Sequence, residues 1–213
     1  MGKAKTASRA GTVVGVDVGG PRKGFHAVAL SGSRICASLR TPVAVELAAW
    51  CRAHDAQAVA VDAPCRWRPP GGPGRLAERE LARAGMACFP TPTKERAAGH
   101  PFFQWMLGGA EVFAALERFY PLYAGRSPEG PVCFETFPQA VACALAGRIV
   151  SAKEKRPVRT ALLQRAGINV ATLATIDEID ATLCALAAQR FTEGSFKAYG
   201  EAATGYLIVP ASP

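Results

Sequence analysis

Short apolar runs of strand length alternate along this chain with longer stretches in which apolar residues recur at helical spacing. Residues 12–18 are β-branched and apolar and pass through Asp17 into Val18-Gly19-Gly20, which predicts a buried strand running into a tight turn. Residues 24–30 and 34–39 read as two further strands joined by Ser31-Gly32-Ser33, so the first three strands form an antiparallel meander. Residues 43–54 follow Pro42, place Ala, Leu and Trp50 at helical spacing, and predict a helix. Residues 57–61 are the next strand, which stops at Asp62-Ala63-Pro64.

The stretch 66–75 contains Pro69-Pro70-Gly71-Gly72-Pro73-Gly74, which excludes regular structure and reads as a mobile, basic surface loop. A short helix over 76–84 follows, with Gly85 as its C-cap. Residues 101–119 read as one largely buried helix, carrying Phe102, Trp105, Phe113 and Phe119 and interrupted near Gly108-Gly109. Beyond it come a strand over 131–135, a helix over 138–147 ended by Gly147, and a basic helix over 153–167. An amphipathic helix over 175–190 sets Ile176, Ile179, Leu183 and Leu186 on one face, and 205–210 is a last short strand. Three strands followed by alternating strands and helices predict an α/β or α+β fold with a mixed sheet.

Composition bounds the rest. At 213 residues, 49% hydrophobic and 20% charged, the chain has ample material for one core and is excluded from the wholly disordered class. Its 21 Gly and 16 Pro show no repeat, so it is not collagen-like. No apolar run approaches the roughly 20 residues of a membrane-spanning helix. The expected organisation is a flexible basic tail over 1–10 and one domain over 11–210. The tail lacks the apolar core of a secretory signal. It matches the M-G-x-x-x-[ST] acylation pattern through Gly2 and Thr6, which is short enough to arise by chance. Seven cysteines without a C-x-x-C pair, most in apolar stretches, read as reduced, packed thiols of a cytoplasmic protein.

The chemistry lies in where the acids fall. Asp17 closes the first strand, Asp62 the strand over 57–61 and Glu135 the strand over 131–135, and ligands of α/β sheets bind at the carboxyl ends of strands. Asp177 and Asp180 open the last helix three residues apart and share a face of it. Each acid has an ordinary structural role open to it: helix-dipole partner for Asp177, turn former for Asp62, helix initiator for Glu135. Together they repel one another, and a divalent cation is what relieves such a cluster. An oxygen-only set suits Mg²⁺ or Mn²⁺.

The run from Gly15-Val-Asp17-Val-Gly-Gly to Phe25-His26-Ala27, with Val61-Asp62-Ala-Pro64, resembles domain-of-unknown-function family 429, the predicted RNase H-like nucleases. So do Arg79-Glu-Leu81, Cys88-Phe-Pro-Thr91, Phe134-Glu-Thr-Phe-Pro138 and Asp177-Glu-Ile-Asp-Ala-Thr-Leu-Cys-Ala185, in the same order. The closing Asp-x-x-Asp-Ala is also similar to the last catalytic helix of Holliday-junction resolvases. The resemblance implies a ribonuclease H-like α/β fold, with a mixed sheet of about five strands and helices on both faces. It implies a metal site built from Asp17, Asp62, Glu135 and Asp180, with Asp177 against Asp180 as ligand left open. Where relatives carry Cys-Asp-Arg before the short helix, this chain has Ala77-Glu78-Arg79.

With 25 Lys and Arg against 17 Asp and Glu the net charge is +8, and the surplus is concentrated. Residues 148–165 hold six basic side chains against Glu154, and 66–83 hold five against Glu78 and Glu80. Such segments are the footprint that phosphate neutralisation requires, although most charge runs are simply solvated faces. They nominate Arg66, Arg68, Lys155, Arg156 and Arg159 as nucleic-acid contacts. Lys153 and Arg159 match the Lys…Arg pattern of relatives, and Lys153 is a candidate for holding the scissile phosphate.

The expected function is metal-dependent phosphodiester hydrolysis of DNA or RNA, with Asp17, Asp62, Glu135, Asp180 and Lys153 as catalytic residues. Asp17-Val-Gly-Gly also resembles the first phosphate loop of sugar-kinase and actin-like ATPases, but no second glycine-rich loop follows a later strand. A non-catalytic scaffold is the third reading, against which the retained set of acids argues.

Overall fold

The computed structural model describes residues 11–212, so the expected tail over 1–10, with Gly2 and Thr6, lies outside the described residues. The chain forms a seven-stranded mixed sheet in the order β3-β2-β1-β4-β5-β7-β6. β1 (Val13–Val18), β2 (Phe25–Ser31) and β3 (Arg34–Thr41) are the antiparallel meander read from the sequence. β4 (Ala58–Asp62) and β5 (Val132–Glu135) add in parallel to β1, and β7 (Gly205–Pro210) adds in parallel to β5. β6 (Phe196–Glu201) closes the far edge against β7. The five strands expected from the resemblance are thus too few. β6 escapes a pattern reading because it is an edge strand, half-buried or exposed along its length, with only Tyr199 buried.

The two faces of the sheet carry different helices. One holds α7 (Ile176–Thr192) over β1, β2 and β4, with α5 (Pro138–Ala146) and α6 (Lys155–Arg165) packed against it. The other holds α1 (Ala44–Ala53) and α4 (Gln104–Leu116), and α2 (Leu76–Arg83) covers the β6–β7 end. Strand alternation sorts the core accordingly. Val13, Ala58, Ala60 and Phe134 pack toward α7, while Val14, Val16, Val59, Val61 and Cys133 pack toward α1 and α4.

Three sequence expectations change. α4 runs through Gly108-Gly109 without interruption, after a single 3₁₀ turn at Pro101–Phe103. Gly109 is there for proximity, since a Cβ at that position would lie 2.4 Å from the Ala63 Cβ. Phe102 and Phe119, expected inside, are exposed. α7 is not an amphipathic surface helix: from Ile179 to Ala188 every residue is buried, because sheet and helices enclose it all round. Its start is fixed by a capping box in which Thr175 Oγ1 accepts from the Glu178 amide and Glu178 accepts from the Thr175 amide. A five-residue helix at Lys94–Ala98, unforeseen in the sequence, is labelled α3. No helix among the described residues is long and apolar enough to cross a membrane.

Gly15 sets how closely α7 approaches β1, since a Cβ there would sit 2.0 Å from both the Ala181 carbonyl oxygen and the Ala185 amide nitrogen. Backbone atoms have no rotamer by which to yield. Gly15→Ala is therefore expected to destabilise the fold by about 3 kcal/mol or more, the upper end of overpacking, read from the midpoint of urea denaturation.

Candidate metal centre

β1 and β4 run side by side with Asp17 and Asp62 in register at their carboxyl ends. Both side chains lie on the α7 face, two residues beyond Gly15 and Ala60, respectively. The first turns of α7 bring Asp177 and Asp180 near enough to raise the Asp17 pKa, and Asp180 near enough to raise that of Asp62. Asp17 and Asp180 are buried, and Asp62 and Asp177 are partly so.

Two cations attend the four acids. The Lys23 ammonium donates to both Asp177 oxygens at 2.8 and 3.0 Å, and the buried Arg159 guanidinium pairs with Asp180 while donating to Gln139 Oε1 at 3.1 Å. With all four ionised, two negative charges would be left uncompensated. Burial first, and then Asp180 and Asp177, push Asp17 up from its ordinary 3.8 to about 8. Burial, Asp17 and Asp180 likewise push Asp62 far above the carboxylate range. Asp180 is raised by burial, against the pull of Arg159. Carboxyls held protonated beside one another are what a divalent cation would ionise and hold.

A residue the sequence reading passed over belongs here. His26 on β2 stands opposite Asp17 in the antiparallel register. One donor atom each from Asp17, His26 and Asp177 lies within 4.8 Å of the others. Burial lowers the His26 pKa and keeps the imidazole neutral, and its Nδ1 is buried without a hydrogen-bond partner. The signal available in the sequence was parity. A meander over residues 12–18 and 24–30 sets a polar residue of β2 beside Asp17, on an otherwise apolar strand.

Glu135 is placed elsewhere. It pairs in register with Val61, so it shares the face of Val61, opposite to that of Asp62, and acts on Asp62 only as a minor charge that raises its pKa. There both its oxygens are engaged by Arg75, at 3.1 and 2.5 Å, and Oε2 also accepts from the Cys65 amide at 2.9 Å. Arg75 further donates to the Thr204 carbonyl and to Thr91 Oγ1, and lies 3.6 Å from Glu78. The loop over 66–75 therefore ends inside the protein: Arg75 is 1% exposed, where the sequence suggested a basic surface. Cys65 beside it is buried and its thiol pushed far up, so it is no reactive nucleophile. All seven cysteines are free; Cys36 is exposed, Cys88 is partly buried and the other five are buried.

The expected phosphate contacts divide in the same way. Lys153, Lys155 and Arg156 are exposed, Arg156 donating to the Ala174 carbonyl at 3.0 Å. Lys155 is close enough to Asp180 to lower its pKa. Arg66 forms a two-pronged pair with Glu117, and Arg68 is partly buried beside Gly72. Arg159, nominated as a nucleic-acid contact, is 2% exposed and serves Asp180 instead.

A mixed α/β sheet with a carboxylate cluster at its strand ends defines the class of protein. The chain belongs to the family described as protein of unknown function (DUF429), whose family model matches residues 15–204 and so spans every motif of the resemblance. No curated protein matches it. Among solved structures, the RuvC structure of Thermus thermophilus is similar over 86% of this chain and 97% of that chain, at 16% identity and a TM-score of 0.44.

Two outcomes follow for the metal-free protein. Asp17 keeps its proton to about pH 8 when folded but releases it near 3.8 when unfolded, so the folded state binds more protons between those values and stability falls as pH rises. Asp17→Asn removes that loss. Its melting temperature in chelator should exceed wild type by a margin that grows from pH 4 to 8 and then levels, at a limit on the order of 5 kcal/mol. Arg75→Ala leaves Glu135 and Glu78 buried without their cation and should cost about 3–5 kcal/mol in urea denaturation.

Proposed function

We propose that this chain is a divalent-metal-dependent nuclease, carried by one domain over residues 11–210, with its metal centre at Asp17, Asp62 and Asp180 and Asp177 beside them. The observation that carries the reading is the convergence of four carboxylates from β1, β4 and α7 against two cations, with Asp17 held protonated to about pH 8. Oxygen donors with a surplus of two negative charges fit a hard divalent ion such as Mg²⁺ or Mn²⁺. When bound, such an ion supplies an activated water and stabilises the leaving oxygen of a phosphodiester.

The chain's own residues do the rest. Asp17 and Asp62, on adjacent strands, are rigid ligands whose protons leave on metal entry. Arg159 fixes the Asp180 carboxylate from behind. Lys153, Lys155 and Arg156 offer exposed positive charge on the side of α6, where a phosphate backbone would be drawn toward the acids. Glu135, locked to Arg75 on the other face, supports the strand end and has no free oxygen for a metal.

The test uses labelled single-stranded and branched DNA and RNA. Cleavage is expected with Mg²⁺ or Mn²⁺ and none in chelator. Asp17→Asn and Asp62→Asn should each lower it by more than the roughly 10–100-fold seen for residues that only support a ligand. Gel-shift binding should persist. No cleavage with either metal, together with unchanged metal affinity in Asp17→Asn, would overturn the reading. ATP-dependent thermal stabilisation without cleavage would favour the kinase-like alternative.

A further inference from the structure

We propose that Asp17, His26 and Asp177 form a second metal position that shares Asp17 with the all-oxygen position of Asp17, Asp62 and Asp180, and that its imidazole selects a transition-metal ion over Mg²⁺. The inference rests on the metal-dependent reading above and goes beyond it in making the centre asymmetric: one position for a hard ion, one for Mn²⁺, Co²⁺ or Zn²⁺.

Three independent features meet at this spot. The first is placement: His26 and Asp17 are partners across the β1–β2 ladder, which puts both side chains on the α7 face, and Asp177 comes down onto them from the first turn of α7. The second is distance. The three donor atoms lie within 4.8 Å of one another, in the range from which they can gather round one ion, whose ligands at a radius of 2.1–2.2 Å stand roughly 3.0 Å apart as neighbours and 4.3 Å apart when opposite. Rotation of the side chains brings the three donors onto one coordination sphere. The third is the state of the imidazole: His26 is 6% exposed, and its Nδ1 is buried with no hydrogen-bond partner. A buried polar atom without a partner is uncommon and carries a desolvation cost that a bound ligand or a proton relay would offset.

The position already draws a cation. The Lys23 ammonium sits on both oxygens of Asp177, from an exposed side chain that is free to withdraw. The choice of ion follows from the donors. Imidazole suits Zn²⁺ and the later first-row metals, and Mn²⁺, though at home among oxygens, accepts a nitrogen ligand, whereas Mg²⁺ keeps to oxygen and to its own waters. Asp62, on the strand across β1 from His26, supplies the oxygen-only half of the pair together with Asp180. Asp17 then stands between two ions, as expected of a shared ligand in a two-metal site.

Calorimetric titration of the intact metal-free protein with MnCl₂, CoCl₂ and MgCl₂, paired with nitrogen hyperfine spectroscopy of the Mn²⁺ form, tests this. Wild type should show a nitrogen coupling to bound Mn²⁺. His26→Ala and His26→Gln should each lose the coupling and weaken Mn²⁺ by more than the roughly 10–100-fold typical of residues that only support a ligand, with Mg²⁺ affinity unchanged. Absence of nitrogen coupling in wild type, which requires no variant to fold, overturns the proposal. So does an equal loss of Mn²⁺ and Mg²⁺ in the variants, since that marks His26 as a packing residue. If Asp17→Asn abolishes binding of both ions while the His26 variants keep Mn²⁺, the second position falls and the nuclease reading stands. If wild type binds none of the three ions, both fall.

Discussion

The contact between α7 and Gly15 governs the rest of the structure. With no side chain on β1 at that point, the helix backbone lies directly on the strand, its Ala181 and Ala185 peptides against the glycine. Two residues further along β1, about 6.6 Å on, comes Asp17. One helical turn back along α7, about 5.4 Å, come Asp180 and Asp177. Because α7 runs opposite to β1, the two displacements point the same way, and the acids meet. Had the helix stood off by the thickness of a side chain, the carboxylates would face one another across water rather than across a dry gap. The apolar length of α7, buried on all sides from Ile179 onward, holds that separation.

From this closeness the electrostatics follow. Carboxylates forced together in a dry place keep their protons, and Lys23 and Arg159 neutralise only the two on α7. Asp17 and Asp62, on the strands, have no cation of their own and take the largest upward displacements. The fold thus stores unfavourable energy at the strand ends and offsets it in the cores on either face of the sheet. Such a cluster is destabilising as it stands, and under the proposed function a bound divalent ion would relieve it and tie stability to metal occupancy.

How much of this was legible in the chain depends on whether the deciding interaction was local. Strand ends at Asp17, Asp62 and Glu135 and the glycine stops at Gly85 and Gly147 are local, and they read directly; the capping box at Thr175 is local too, yet only the structure brought it out. The side a residue takes in the sheet is not local. Glu135 ends its strand as Asp62 does, yet one residue of register puts it on the other face, and only the β4–β5 ladder shows this. His26 was missed for the converse reason: its partner is Asp17 across the meander, and a lone histidine on an apolar strand reads as core. Burial of charge was also hidden, since Arg75 and Arg159 look like surface cations until the acids they serve are placed. Gly108-Gly109 looked like a break in α4 because glycine weakens helices, but tight packing on Ala63 overrode propensity.

Glu135 nevertheless bears on the metal centre from behind. Its carboxylate accepts the amide of Cys65, three residues past Asp62, and Arg75 holds that carboxylate while also gripping the Thr204 carbonyl at the start of β7. Next to it, the Thr136 amide donates to the Val61 carbonyl and the Thr136 hydroxyl to the Ile208 carbonyl. The end of β4 is therefore tied to β5 and β7 through a buried ion pair on the face away from the acids. A chain leaving a strand into a Pro-rich loop would otherwise fray at its last residue, and that residue is Asp62. The sheet's two faces divide the labour: one gathers like charges, and the other sets a matched pair where it keeps the strand end in place.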